Sequence, residues 1–339
     1  MKDLTVATLT ATLIAGTLAM PALAQTDLVL SSWLPPRHPI VVNAIKPWAE
    51  EVEEVTDGRV TVRVLGKPLG SPPSHFDMAR DGVADITYGL HSFSQDDRFD
   101  KSQVGQFSFI GDDAIAASSA FWTVYTEDLD ARADHEGTHL LGLFVHGPGL
   151  FHNNKLRIET PADFAGLKIR VPGGYVAGLM EDLGATPLFM SSTEVYEKLS
   201  RGVIDGVTFT YEALTAFNLT DDVAYSMTVP GGLYNTTWFL VVNEAKWDGI
   251  AEEDREAIEA ISGAAFAERV GQAWNDADTA AVEKIEAAGI TLHSASDAVL
   301  EAVRAAAEAR EAAWAGSLGD DYDGQAALAR LRELSGVAE

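Results

Sequence analysis

Strand-like runs alternate with amphipathic helices along this chain, and the strands close on proline or glycine breaks; no other feature constrains the fold as much. Asp27 to Trp33 reads as a first strand, ended by the three prolines of Leu34 to Pro39, which permit neither strand nor helix. Ile40, Val41, Ala44, Ile45, Trp48, Val52 and Val55 then follow the three-and-four spacing of a helix with one apolar face. Val60 to Leu65 alternates as a second strand, His75 to Gly82 forms a short helix, and Ala84 to Gly89 gives a third strand. That order implies right-handed crossovers and a parallel sheet. Ligands of such open sheets lie beyond the carboxyl ends of the strands, which places Trp33 to His38 and Tyr88 to Phe93 at one rim.

The chain's 339 residues, 47% of them hydrophobic, exceed one ordinary core and predict two lobes. Ala114 to Leu129 continues as a helix whose Phe121, Trp122 and Tyr125 belong to a core, and Thr138 to His146 as an apolar strand. Gly147-Pro148-Gly149 reads as a hinge, and Phe151 to Ile158 as a short polar connection. Strand and helix signals resume with Leu167 to Val171, Tyr175 to Leu183, Gly184 to Leu188, Ser192 to Gly202, Val203 to Phe209 and Tyr211 to Leu219. Thr237 to Asn243 is a strand of strong β-formers. Glu252 to Gly289 reads as one long alanine-rich helical region, Asp297 to Gly316 as another, and a short helix follows Asp323.

The first residues set the compartment. Lys2, an apolar and small-residue run from Leu4 to Met20, and Ala22-Leu23-Ala24 form the pattern of a secretory signal cleaved before Gln25. A soluble, periplasmic mature protein is expected. The balance of 24 basic against 51 acidic residues, a net charge of −27, repels nucleic acid and anionic membrane surfaces. Against such a field an anionic ligand must be captured by a few local cations. The absence of cysteine removes thiol catalysis, disulfide frameworks and Cys-ligated zinc. His146 and His152 flank the hinge without a partner at metal spacing, so neither a metal nor a cofactor is expected.

One stretch supplies such a cation. In Leu167 to Val171 the residues Leu167, Ile169 and Val171 share one face, and Lys168 and Arg170 the other. Pro172-Gly173-Gly174 then opens the helix from Tyr175, whose free N-terminal amides should point at the same rim as the Arg170 guanidinium. Catalysis has no comparable signal: there is no dinucleotide or phosphate-loop fingerprint, no Gly-x-Ser-x-Gly elbow and no His-Glu-x-x-His pair, and nothing places two of the many carboxylates together.

Several segments, in order, resemble the solute-binding component of tripartite ATP-independent periplasmic (TRAP) transporters, the family of the C4-dicarboxylate-binding proteins. They are Phe164-Ala165-Gly166-Leu167-Lys168-Ile169-Arg170-Val171-Pro172, Gly184-Ala185-Thr186-Pro187, the run from Val195 to Gly206, and the strand ending at Asn243 with Trp247 soon after. The resemblance implies an α/β Venus-flytrap fold of two lobes, crossing strands between them and a long helix behind both. It assigns 25–147 with 236–275 to the first lobe and 148–235 with 276–339 to the second, after a signal peptide over 1–24. It implies a monomeric binding protein, not an enzyme, that delivers an organic acid to a membrane permease, with Arg170 pairing with the ligand carboxylate. A sensory receptor domain of the same fold is the alternative, and a hydrolytic enzyme a weaker one.

This chain departs from sugar-acid binders of the family. Where those often carry a second arginine about twenty residues before the first, it has Leu150 and Phe151, and where they tend to have Asn after the Asp-Gly pair it has Val207-Thr208-Phe209. With Trp33, Tyr88, Phe93, Phe151, Phe209, Tyr211 and Trp238 as candidate lining residues, and His38 as a candidate polar contact, the expected ligand is a small monocarboxylate with an apolar or aromatic body, or a zwitterion whose cation packs on aromatic faces. Glu212 is expected to cap a helix rather than to meet a ligand.

Overall fold

The computed structural model describes residues 25–94 and 96–337, so the expected signal peptide lies outside the described residues. Among the described residues eleven strands form two sheets. In the first, β1 (Thr26–Ser31), β2 (Val60–Val64), β3 (Ile86–Leu90) and β4 (Thr138–Val145) are joined by β10 (Thr237–Asn243), in the order β2-β1-β3-β10-β4. The second holds β5 (Leu150–Asn153), β6 (Lys168–Val171), β7 (Thr186–Phe189), β8 (Gly206–Phe209), β9 (Tyr225–Thr228) and β11 (Thr291–Ser294), in the order β11-β9-β5-β8-β6-β7. Helices cover the faces of both sheets, and the architecture is the two-lobed α/β fold expected.

The first three strands pair in parallel as the strand–helix alternation requires. β10 corrects the expectation of a wholly parallel sheet: it enters from far along the chain and pairs antiparallel with both β3 and β4. The helix predicted from Ile40 begins with a π-helical turn, Val41–Ile45, and continues as Lys46–Val55, burying Trp48, Ala49 and Val52 under the sheet.

Two expectations fail for local reasons. The segment from Phe151 is not a polar connection, because Leu150–Asn153 is a fully buried strand paired with both β8 and β9. Its His152 and Asn153, polar as in a loop, are buried beside Phe151 in mid-sheet. The long helical region is broken: Glu252–Ala260 and Gly263–Ala287 are separate helices. At the break Gly263 takes a left-handed φ of +56°, and the Trp48 indole donates to Ser262 Oγ at 3.1 Å.

The helix Gly263–Ala287 runs behind both sheets. Phe266, Val270 and Trp274 join the apolar cluster of the first, while Ala281 and Ile285 join that of the second. Two further connections cross between the sheets, from β4 to β5 and from β9 to β10. They are tied together: Gly149 N–H donates to Tyr234 O, Leu233 N–H to Gly149 O, and the Asn235 amide both donates to His146 O and accepts from His146 N–H. No helix among the described residues is long and apolar enough to cross a membrane.

Candidate functional site

Arg170 sits on β6, between β7 and β8, where alternation turns Leu167, Ile169 and Val171 into one core and the guanidinium to the opposite side. It is 2% exposed, and Nε donates to Met190 O at 2.9 Å and Nη1 to Thr208 O at 3.3 Å. The guanidinium carbon lies 4.4 Å from the centre of the Phe209 ring. Burial lowers its pKa to about 10, with Tyr234 and Glu194 acting in the other direction. Among the described residues no carboxylate forms an ion pair with it, so a charge that burial makes costly lacks an internal counter-ion.

The guanidinium borders a small cavity between the two sheets, lined by residues of both. Aromatic rings dominate its wall. Trp33 and Trp238 stack with an interplanar angle of 3° at 5.5 Å, and Trp274 packs against Trp238 at 6.1 Å. From the second sheet Phe209 stacks on Phe217 at 5.7 Å. The indoles are held by their N–H groups, Trp33 donating to Tyr88 O and Trp238 to Thr236 Oγ1.

Few polar groups interrupt this wall. His38 and Glu212 approach each other at 3.6 Å, and the Glu212 carboxyl also accepts from Thr210 Oγ1 at 3.1 Å. Burial pushes the Glu212 carboxyl well above the usual range, with the nearby Asp278 adding to the effect; burial alone lifts Asp278 to about 7. Desolvation lowers His38 to about 3 and His146 to about 4, so both rings are neutral at pH 7.

Of the residues singled out by sequence, the fold brings Arg170, Phe209, Trp33, His38 and Trp238 to this cavity. Four others lie elsewhere. Tyr88 is one layer behind Trp33, its hydroxyl held by Ser32 Oγ at 2.6 Å; Phe93 packs beside Trp33 on the side of Phe189. Phe151 is buried edge-on against Phe164, and Tyr211 packs against His152. The N-terminal amides of the helix Tyr175–Asp182 are not all free at the rim, because Tyr175 N–H donates to Gln106 Oε1. Glu212 does not cap its helix through its side chain and instead lines the cavity.

Sequence reasoning did not select Trp274, Tyr234, Phe217 or His146 as lining residues, though all four reach the cavity. In the sequence His146 stands out only as a hinge-flanking histidine without a partner at metal spacing. Trp274 was legible solely as part of an apolar helix stripe, and nothing local distinguishes a stripe residue over a sheet from one over a cavity.

Residues 30–315 match the family model described as bacterial extracellular solute-binding protein, family 7. The chain belongs to this family. A solved TRAP periplasmic solute-binding protein from Bordetella bronchiseptica, with bound (R)- and (S)-mandelate, is 38% identical, with a TM-score of 0.89 over 92% of this chain and 99% of that one. A marine metagenome TRAP solute-binding protein specific for aromatic acid ligands, in complex with meta-hydroxyphenylacetate, is 31% identical, with a TM-score of 0.85 over 92% and 99%. The outer membrane transporter protein TsaT of Comamonas testosteroni is 33% identical over 311 residues, 90% of each chain. This family 7 protein is therefore a TRAP solute-binding protein, a class of extracytoplasmic receptors for small organic acids.

Proposed function

We propose that this solute-binding protein captures an aromatic monocarboxylate in the cavity between its lobes and presents it to a TRAP membrane permease. The observation that carries the reading is the buried Arg170 guanidinium, without an ion-pair partner among the described residues, at a cavity walled by Trp33, Trp238, Trp274, Phe209 and Phe217. A guanidinium matches a carboxylate bidentately and the pairing strengthens where water is excluded. One cation fits one carboxylate, and the rings fit a flat apolar body. The two similar solved proteins carry mandelate and meta-hydroxyphenylacetate, both aromatic acids, which supports the same assignment.

The lobes are proposed as 25–147 with 236–275 and 148–235 with 276–339, hinged at the tied connections around Gly149 and Asn235. The ligand-free chain is then open, and binding energy closes it over the acid. The protein is proposed to act as a monomer in the periplasm and to return its ligand unaltered.

A thermal-shift panel of benzoate, phenylacetate, mandelate, succinate, glucuronate and betaine tests this directly. The aromatic monocarboxylates are expected to raise the melting midpoint by mass action while succinate and glucuronate leave it in place. A midpoint moved chiefly by dicarboxylates or sugar acids defeats the assignment.

A further inference from the structure

Glu212 is 2% exposed, lines the cavity, and its Oε2 has no hydrogen-bond partner among the described residues. Buried polar atoms left unpaired are uncommon and costly, and one facing a ligand cavity is best explained by a group on the ligand. His38 Nε2 lies 3.6 Å from the same oxygen, beyond hydrogen-bond reach. The histidine tautomer follows from its other nitrogen: Nδ1 accepts from Ile40 N–H at 3.3 Å, which leaves the proton of the neutral ring on Nε2. At one point in the cavity there is thus one N–H donor beside one unpartnered carboxyl oxygen.

A hydroxyl satisfies that pair, accepting from His38 and donating to Glu212. An ammonium has no lone pair for His38 to donate to. Arg170 and Glu212 form no ion pair, and Tyr234, which lines the cavity with them, feels the charges of both. Arg170 is matched to the ligand carboxylate, and the hydroxyl is a separate group of the same ligand.

We propose that His38 and Glu212 form a second polar subsite that recognises a ring hydroxyl, so that the preferred cargo is a hydroxylated aromatic monocarboxylate. This rests on the aromatic-acid reading above.

Titration calorimetry on the wild-type chain with benzoate, 3-hydroxybenzoate and 4-hydroxybenzoate, and with phenylacetate against mandelate, separates the two. At least one ring-hydroxylated benzoate should bind about tenfold or more tighter than benzoate, since a site built to bond a hydroxyl penalises the ligand that lacks one. In Glu212→Ala the ratio should fall to within about threefold, and Glu212→Gln, which keeps an acceptor oxygen, should retain most of it. If Glu212→Ala does not fold, the wild-type ratio and the Glu212→Gln ratio still decide. Benzoate binding with both hydroxybenzoates within about threefold of it overturns the subsite and leaves the aromatic-acid reading standing. A preference dependent on Glu212 for mandelate over phenylacetate also overturns it, because that places the hydroxyl beside the carboxylate. Failure of every aromatic acid to bind overturns both readings.

Discussion

Arg170 concentrates the electrostatics of the site in one side chain. Its burial costs solvation that Met190 O and Thr208 O return only in part, and a ligand carboxylate completes the pairing. Arg170→Ala is expected to weaken binding of the best aromatic acid more than tenfold, in line with about 1.5–3 kcal/mol for a charge-assisted bond. The apo melting midpoint should move little, because the lost hydrogen bonds are offset by relief of an uncompensated charge. Affinity that survives the change in calorimetry would remove Arg170 from the site. Phe209 is the complementary case, since it holds the guanidinium on one side and stacks on Phe217 on the other. Phe209→Asn should favour more polar acids over aromatic ones in a competition assay, and an unchanged ranking would mean the ring is only core. Both residues were legible in the sequence. Arg170 is a cation on the polar side of an alternating strand, and Phe209 an aromatic ring at a strand's carboxyl end.

At the scale of elements, the helix Gly263–Ala287 carries the connection between the sheets and contributes Trp274 to the cavity. It packs on the helix Ala114–Glu127 through Gly271, where an added Cβ would lie 2.5 Å from Ile115 Cα and 2.6 Å from Ala114 O. Alanine is intrinsically better than glycine inside a helix by about 1 kcal/mol. Gly271→Ala is nevertheless expected to destabilise the protein, because backbone cannot yield as a side chain can and overpacking costs about 1–3 kcal/mol. A denaturant midpoint that rises in this variant would show that the two helices can separate without penalty. The sequence identified both helices as elements but not their contact, which depends on a crossing that local periodicity does not encode. The same limit hid β5, whose His152 and Asn153 look like loop residues until β8 and β9 enclose them.

At the scale of the whole molecule, buried histidines dominate the response to acid. Desolvation holds His38 at about 3 and His135, His139, His146 and His152 at about 4, all below the ordinary 6.5. A depressed folded-state value contributes stability that is present above 6.5 and is lost as the pH falls toward the folded value. Asp278, raised to about 7 from 3.8, acts in the opposite sense, its contribution being lost as the pH rises through about 7, and Glu212 shares its direction. Asp100, Asp134 and Asp222 are raised too, yet with His75, His91 and His293 also lowered the histidines still outnumber the raised carboxyls, so unfolding takes up protons between pH 6.5 and 4. The melting midpoint of the apo protein is therefore expected to fall between pH 7 and pH 5, and a level or rising midpoint would contradict the burial described.

What the sequence determined by itself was what local chemistry can encode: the α/β alternation, the strand bearing Arg170, the rim holding Trp33 and His38, and the lack of a second cation near Leu150. Periodicity, proline breaks and charge are properties of neighbours in the chain, and they survive without knowledge of the fold. Only the tertiary structure decided which of the aromatic residues face the cavity, because Trp33 and Trp238 meet across strands and Phe217 and Trp274 come from helices far apart in sequence. It also turned Glu212 from a helix-capping residue into a buried carboxyl beside His38. Their sequence positions are 174 residues apart, and a contact of that length is set by how two sheets close on one helix rather than by any residue's own preference.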